Sequence, residues 1–587
     1  MTFPSRNRDS QQDGGPLFAT APSPLRWIHL HHLILPLAAF LAVLPLILKG
    51  CSCGHDFNFH LLNWMEAARQ FTHGNLHPHW AFSPAYNAGE PRFVFYPPLS
   101  WTLGAILGFL MPWSWTPIVY TWLALTAAGL ALYRLAREFS TANAALIAAA
   151  FYLVNPYTLF TAYERTAYAE LLAAAWIPLL LLGILRKRVT IPGIAIPVAL
   201  LWLTNDPVAV MGCYTLALLT FIRIFTTNSI PNTQSDQHQP TSRLQLAATS
   251  VVGAILGLGL ASFYLVPAVY ERRYVQIAAI FAAGTHIENH FLFHHTANPA
   301  HNAIINTASF IAIALLLLTA AAIATAAHHS SPPKEREARP PTNLLILLAT
   351  LTIVIAFLLA SISNPIWQHL PELRFLQFPW RLLTILAAVL SLALALALAS
   401  LKIRTIPAVA LSLALAALLA FPGFHLFRQQ CSPERSVVGT IARFRANTGT
   451  AANNEYTPIA ASNQSLSHTN PPFWLLPNQP ADANTSAPAN STPGSAPTSL
   501  TLNSPQPQIL VLNLRDYPAW RLTLNQTILT IHLQRSDGLI AIPIPAGFNH
   551  IAITYSRNLD QTLGDILTLL SLALLLLILR PKPYPAA

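Results

Sequence analysis

One carboxylate and several arginines, far apart along the chain, are the residues whose types could do chemistry together. Asp56 opens the stretch from Gly54 to Pro98 (GHDFNFHLLNWMEAARQFTHGNLHPHWAFSPAYNAGEPRFVFYPP), which follows the first long apolar run and is polar, aromatic and rich in His and Pro. A carboxylate at a membrane exit can act as general base on an acceptor while a lipid-linked group departs. Sugar transfer from a polyprenyl phosphate needs that base, and it needs cations to stabilise the leaving phosphate. Arginine suits the second task because its planar fork binds phosphate oxygens in pairs. Arg165, Arg272, Arg273, Arg374 and Arg381 are the candidates. Asp is also a favoured helix cap, and a helix is expected from about Phe57, so Asp56 has a structural explanation compatible with the chemical one.

The neighbours of these residues extend the candidate set. His55 stands beside Asp56 as a substrate contact. In Tyr163–Glu170, Glu164 and Glu170 could be second acids with Arg165 on the phosphate; a headgroup-level belt of Tyr and Arg is the alternative. The segment Arg374–Arg381 enters an apolar run with aromatics and could clamp a lipid phosphate or anchor the helix. Arg381 lies past Pro379, partly within the membrane, where charge is costly. Asp206, in Thr204-Asn205-Asp206-Pro207, is explained as well by helix capping as by function. No cofactor is expected, and a divalent metal has only weak support. In His55-Asp56-(x)3-His60, His55 is too close to the helix start to share a face with His60. His290 and His294 have i,i+4 spacing, which could hold a metal or simply place two interfacial imidazoles.

The elements that must position these residues follow from composition. The 587 residues are 53% hydrophobic and only 9% charged, against roughly a quarter charged in soluble domains, so the solvent is a bilayer. The net charge of +11 does not point to nucleic acid, because the basic residues fall in short clusters between apolar runs and form no basic face. Apolar runs lie at about 27–49, 116–135, 141–160, 169–185, 190–205, 207–226, 244–266, 301–327, 343–361, 379–400, 405–422 and 562–580. Each is near the ~20 residues a spanning helix needs, and unsatisfied backbone groups in lipid exclude open strands. The fold class is therefore an α-helical polytopic membrane protein with about twelve spans, provided that the short run 99–111 does not cross fully.

An inside N-terminus puts Arg134, Arg137, Arg186-Lys187-Arg188, Arg223, Arg243, Lys334, Arg336, Arg339, Lys402, Arg404, Arg580 and Lys582 all on the cytoplasmic side. The Asp56 loop, residues 163–170, 267–299 and 361–379, and the region 424–560 then face outward, with the candidate arginines at or near that face. Residues 1–25 read as a disordered cytoplasmic tail, 26–423 as the membrane domain with a catalytic-type first outer loop at 50–98, 424–508 as a connector ending in a low-complexity linker, and 561–587 as the last span and tail. Within 509–560, short runs at 509–514, 520–524, 529–533, 539–544 and 550–555, separated by turns such as Asp537-Gly538, predict a small extracytoplasmic β-domain. Either Cys51 or Cys53 could pair with Cys431 in an oxidising compartment, and free thiols are the alternative.

Several of these motifs carry a family likeness. Gly54-His55-Asp56-Phe57 through Trp64 to Phe95-Tyr96-Pro97-Pro98, the Tyr163–Glu170 loop followed by Pro178, and Leu376–Arg381 together resemble bacterial integral membrane proteins described as 6-pyruvoyl-tetrahydropterin-synthase-related. No residues point to a pterin site. Tyr517-Pro518-Ala519-Trp520-Arg521, with Pro545-Ala546-Gly547 and Tyr555, is similar to the YfhO-like membrane proteins, which are thought to act in glycosylating cell-envelope polymers. Both groups resemble the wider GT-C superfamily, which includes protein O-mannosyltransferases and aminoarabinose transferases. That resemblance implies a first outer loop with a catalytic acid, matched here by Asp56, and a polyprenyl-phosphate sugar donor. It also implies a cell-envelope glycan, lipid or protein as acceptor and a bacterial inner membrane as location. The loop departs from the pattern in having no D-x-D or E-x-D pair, and Ala519 stands where YfhO-like chains usually have Gly. A non-catalytic envelope scaffold, or a transporter or flippase of lipid-linked sugars, is the alternative. The few ionisable residues in mid-span favour surface chemistry over translocation.

Overall fold

A computed structural model describes residues 30–226, 242–281, 286–328, 342–466, 468–478, 484–488, 491–530 and 532–580. The N-terminal tail 1–25, the Lys334, Arg336 and Arg339 cluster and Lys582 lie outside them.

Among the described residues, ten helices are long and apolar enough to cross a membrane, from His31–Lys49 to Leu559–Leu579. Two of the twelve expected spans differ, each for a physical reason. Asn343–Leu358 and Ser361–His369 form a pair bent by 89°, an eleventh span only if counted together. The helix Ile191–Trp202 has 12 residues, roughly 18 Å at 1.5 Å per residue, against a hydrocarbon core of about 30 Å. The short run at 99–111 does form a helix, Pro98–Leu110, of 13 residues. Hydroxyls within the apolar helices bond back one turn, as Thr121 does to the Pro117 carbonyl (2.8 Å) and Thr319 to that of Leu315 (2.6 Å). Their polarity is thereby satisfied within the helix.

The helix ends sort by charge. Asn143 donates to the Ile403 carbonyl (2.8 Å), Arg186 pairs with Glu138 (3.3 Å), and the Arg223 guanidinium donates to the Ile184 carbonyl. These contacts gather the arginine-bearing ends on one face. The opposite ends carry Asp56, Arg165, Asp206 and Arg381, together with the β-strands.

Seven strands make two antiparallel sheets: β1 (Phe473–Pro477), β2 (Ser499–Ser504), β3 (Gln508–Arg515), β4 (Trp520–Leu524), β5 (Thr527–Leu529), β6 (Leu539–Ile544) and β7 (Gly547–Tyr555). Their orders are β1-β3-β6 and β2-β7-β4-β5. Leu510, Leu512 and Leu514 of β3 and Ile540 and Ile542 of β6 pack with Leu522 of β4 and Ile551 and Ile553 of β7. The other face of β3, Ile509 and Val511, lies beside Trp474 and Leu476 of β1 and packs with Ala85 and Ala88 of the first loop and with Leu466. Burial on both faces explains why β3 is a continuous apolar run instead of an alternating one. Of the strand expected at 529–533, in which residue 531 lies outside the described residues, Leu529 ends β5 and Leu533 makes a single bridge to Ala541.

The sheets dock on the first loop. Trp80 packs against Tyr517 (5.5 Å) and Trp520 (5.4 Å), the Arg515 N–H donates to the Ala88 carbonyl (3.0 Å), and the Tyr517 hydroxyl donates to Glu271 Oε2 (2.5 Å). A disulfide between Cys53 and Cys431 ties the exit of the first helix to the segment after Thr405–Phe427, while Cys51 and Cys213 are free.

Candidate functional site

A cavity of about 800 Å³ opens where the Asp56 loop, the Arg165 turn and the entry to Pro379–Ala399 converge beneath a strap from the C-terminal region. Asp56, Arg165, Glu170, Arg272 and Arg381 all line it.

Asp56 enters the cavity because its loop is pinned from both sides. Beside the disulfide, the Ser52 hydroxyl donates to the Tyr163 carbonyl (2.6 Å) and the Cys53 N–H to the Gln429 carbonyl (3.1 Å). The Asp56 N–H donates to the Arg165 carbonyl (3.0 Å), which places the two loops in contact. Asp56 precedes the helix Phe57–Thr72 but makes no side-chain capping bond, and its backbone (φ −97°, ψ 1°) is not the extended conformation of a cap. The capping explanation therefore falls away, and the carboxylate faces the cavity.

Arg165 ends a π-turn, Phe160–Arg165, and Thr166 beyond it is left-handed (φ 49°). Such turns often mark functional positions in helices. This one re-aims the guanidinium onto Glu170 (2.6 Å) and over the Trp380 ring (4.8 Å). Glu170 also accepts from the Tyr157 hydroxyl (2.6 Å) and Thr384 (3.3 Å), and lies 3.6 Å from Arg381 Nε. Arg381 donates to the Leu376 carbonyl (2.8 Å) and sits over the Phe378 ring. The Leu373–Leu376 turn that presents this carbonyl is bracketed by Glu372 (φ 59°) and Gln377 (φ 62°). Left-handed non-glycine residues of this kind cluster where a site is held under strain. Two guanidiniums thus share one carboxylate in a buried setting, with Asp56 lining the same cavity.

The far wall is aromatic and acidic. Asn205, not Asp206, caps the helix Asp206–Thr226 by accepting from the Val208 N–H (3.1 Å). Asp206 is thereby released into the cavity, with Oδ2 2.7 Å from the Tyr264 hydroxyl and Oδ1 without a hydrogen-bond partner. Trp202, Tyr96 and Tyr264 stand beside it. The strap Asn453–Tyr456 is held by the first loop: the Asn453 N–H donates to Glu90 Oε2 (3.0 Å), and Arg92 bridges Glu90 (2.7 Å), Asn63 (2.8 Å) and Asn453 (2.9 Å). Glu66 is likewise structural, accepting from Arg69 (2.7 Å) and the Ser83 hydroxyl (2.5 Å). Burial pushes its carboxyl up, but these partners outweigh burial and hold it below the usual range. Burial drives the His60 imidazole down to about 4 against the pull of Asp56, so His60 lines the cavity as a neutral ring.

Other candidates lie elsewhere. His55 and Glu164 face one another (3.9 Å) away from the cavity, where Glu164 accepts from Gln429 (2.7 Å). Arg273, held to the Tyr270 carbonyl (2.9 Å), and Arg374, stacked on Phe281 (4.7 Å), line a neighbouring basin of about 680 Å³. Arg272 belongs to both spaces and pairs with Glu372 (3.5 Å). The turn Ile287–His290 ends at His290 and the chain then extends, so the i,i+4 geometry with His294 is not formed. Among the described residues no group of three or more His, Cys, Asp or Glu side chains is placed to hold a metal.

The fold defines a multi-pass membrane protein with a cavity lined by acids and arginines at one end of its helices. The chain belongs to the family described as 6-pyruvoyl-tetrahydropterin synthase related domain, a family of membrane proteins, which matches residues 93–426. Arg165, Glu170, Asp206, Arg272 and Arg381 fall within that match, and Asp56 falls before it. No curated protein sequence matches the chain significantly. Among solved structures it is similar to the arabinofuranosyltransferase AftD from Mycobacteria, at TM-score 0.42 and 13% identity over 92% of this chain and 40% of that one. It is also similar to the oligosaccharyltransferase of Archaeoglobus fulgidus in the apo form, at TM-score 0.36 and 17% identity over 73% and 57%. The archaeal enzyme AglB in complex with an inhibitory peptide and a dolichol-phosphate gives 0.34 and 16% over 74% and 57%. The chain thus spans about two fifths of the mycobacterial protein and somewhat over half of the archaeal one.

Proposed function

We propose that this protein is an inverting GT-C-type glycosyltransferase that moves a sugar from a polyprenyl phosphate to a cell-envelope acceptor at the non-cytoplasmic face. The observation carrying this reading is the convergence of Asp56, Arg165, Arg272 and Arg381, from distant parts of the chain, on one cavity. Asp56 takes the proton of the acceptor hydroxyl as its oxygen attacks the anomeric carbon. The bond from that carbon to the phosphate oxygen breaks on the opposite side, and Arg165 and Arg381 receive the developing charge. Glu170 positions both guanidiniums. The gathering of arginine-bearing helix ends on the opposite face, and a disulfide on the cavity side, support an outward-facing site.

The test is transfer by the reconstituted protein from a panel of polyprenyl-phosphate sugars. Asp56→Asn is expected to insert and bind polyprenyl phosphate like the wild type, yet to transfer on the order of 10²–10⁴-fold more slowly, the usual contribution of a general base. Full activity of that variant removes Asp56 from catalysis. Polyprenyl-phosphate binding with no turnover of any donor by the wild type would instead identify a carrier or scaffold.

A further inference from the structure

A second space, sharing no lining residue with the transfer cavity, lies where the first loop meets the β-sheets. It is a cleft of about 440 Å³, within the range of roughly 300–1,000 Å³ typical of small-ligand sites. Its walls come from two separate bodies. Trp80, Phe82, His77 and His79 belong to the first loop; Trp520 and Tyr555 belong to β4 and β7. We propose that this cleft binds a neutral stretch of glycan, seated on the rings of Trp520 and Tyr555 and hydrogen-bonded by the imidazoles and amides around them.

Three features of the lining specify that ligand class. The aromatic surface is stepped: Trp520 meets Trp80 (5.4 Å) and Tyr555 (5.0 Å) edge-on, and His79 lies nearly parallel to Tyr555 (5.8 Å, 15°). Stepped rings suit the apolar C–H faces of successive sugar units. Apart from Arg557, the polar groups are uncharged. Burial lowers the His77 imidazole and takes that of His79 down to about 3, so each ring offers one donor and one acceptor at neutral pH. Trp520 Nε1 is buried without a hydrogen-bond partner, a donor awaiting a hydroxyl. Finally, the charge is already met, because Arg557 is ion-paired with Asp565. An anion would have to compete with Asp565 for that one cation, and a purely apolar ligand would leave the polar groups unsatisfied.

The cleft is also coupled to the transfer cavity through the backbone. Ala81, next to Trp80, pairs with Glu90 (2.9 and 3.0 Å), and Glu90 holds Asn453 of the cavity strap (3.0 Å). A glycan in the cleft would therefore be an acceptor held while its end is extended. That role rests on the transferase reading, whereas the binding itself does not.

The test uses the full-length protein in nanodiscs, titrated calorimetrically with neutral linear malto-, cello-, manno- and arabino-oligosaccharides and with a sulfated oligosaccharide. At least one neutral probe is expected to bind, with affinity falling tenfold or more in Trp520→Ala and in His77→Ala, and less in Trp520→Phe, which keeps a ring but loses the N–H. An unchanged thermal unfolding midpoint separates loss of the site from loss of the β-domain, and His77→Ala leaves that domain's core intact. Binding of no neutral probe, preference for the sulfated one, or indifference to both alanine variants overturns the inference. Asp56→Asn is expected to bind the glycan normally. If that variant also transfers normally, the catalytic reading fails while the glycan site stands.

Discussion

At the scale of single residues, the charge balance around Glu170 organises the site. Its carboxylate serves Arg165 at 2.6 Å and Arg381 at 3.6 Å while accepting from Tyr157 and Thr384. Breaking a buried ion pair from one side leaves an uncompensated charge, a loss of about 3–5 kcal/mol, whereas removing both charges together is far milder. Glu170→Gln is therefore expected to lower the unfolding midpoint in detergent steeply, and adding Arg165→Met should recover much of the loss. A Glu170→Gln variant as stable as the wild type would show that the pair contributes nothing to the fold. The same logic explains which residues were legible in the sequence. Arg165 and Arg381 stood out because charge beside an apolar run needs a reason. Asp206 did not, because Asn205-Asp206-Pro207 offers two equivalent caps and only the Asn205 bond to Val208 decides between them. His55 and Glu164 adjoin Asp56 and Arg165 in sequence, yet the tight turns at those points send neighbouring side chains to opposite sides.

At the scale of elements, the contact between two loops sets how Asp56 stands relative to Arg165. Gly54 packs so closely on the second loop that a Cβ there would lie 2.2 Å from the Glu164 carbonyl oxygen and 2.9 Å from the Arg165 carbonyl carbon. Both are backbone atoms that cannot swing aside. Gly54→Ala is expected to part Asp56 from Arg165 while leaving the helices inserted. Displacements near 1 Å at a reacting pair are worth roughly 100-fold in rate. Transfer should thus fall by about that factor with polyprenyl-phosphate binding changed little, and equal losses in both would point to general misfolding. The helices were readable from length and hydropathy, and what escaped lies in irregular segments. Strand β2 sits in a Pro-, Ser- and Asn-rich stretch whose composition resembles a linker, and β1 is a short apolar run just before it. Their burial depends on pairing with β3 and β7, which no local pattern reports. The π-turn before Thr166 and the 89° bend after Leu358 likewise come from packing between helices.

At the scale of the whole molecule, the two faces were legible in the arginine distribution, but the joint between membrane helices and β-sheets was not. That joint is Glu271, fully buried at the end of Ser262–Glu271. It accepts from Tyr517 of the β-region (2.5 Å) and from Gln561 of the last helix (3.1 Å), with Asp560 alongside. Burial is the main cause that pushes its carboxyl up to about 7, and the neighbouring Asp560 adds to the rise against the Tyr517 bond. The folded state therefore keeps a proton that the unfolded chain releases near its ordinary 4.5. By linkage this contribution is complete below about pH 4.5, declines as pH rises through 7, and then levels off. Its full span is on the order of 3 kcal/mol, from 1.36 kcal/mol per pH unit between the two values. Thermal unfolding followed from pH 5 to 8 is expected to show the β-region loosening from the membrane helices as pH increases. Glu271→Gln has no ionisable group; its amide oxygen can accept from Gln561 while its amide N–H donates to the Tyr517 oxygen, so it should flatten that dependence and stay near the low-pH stability of the wild type. A wild-type midpoint constant over this range, or a Gln variant with an undiminished slope, would remove Glu271 as the titrating joint.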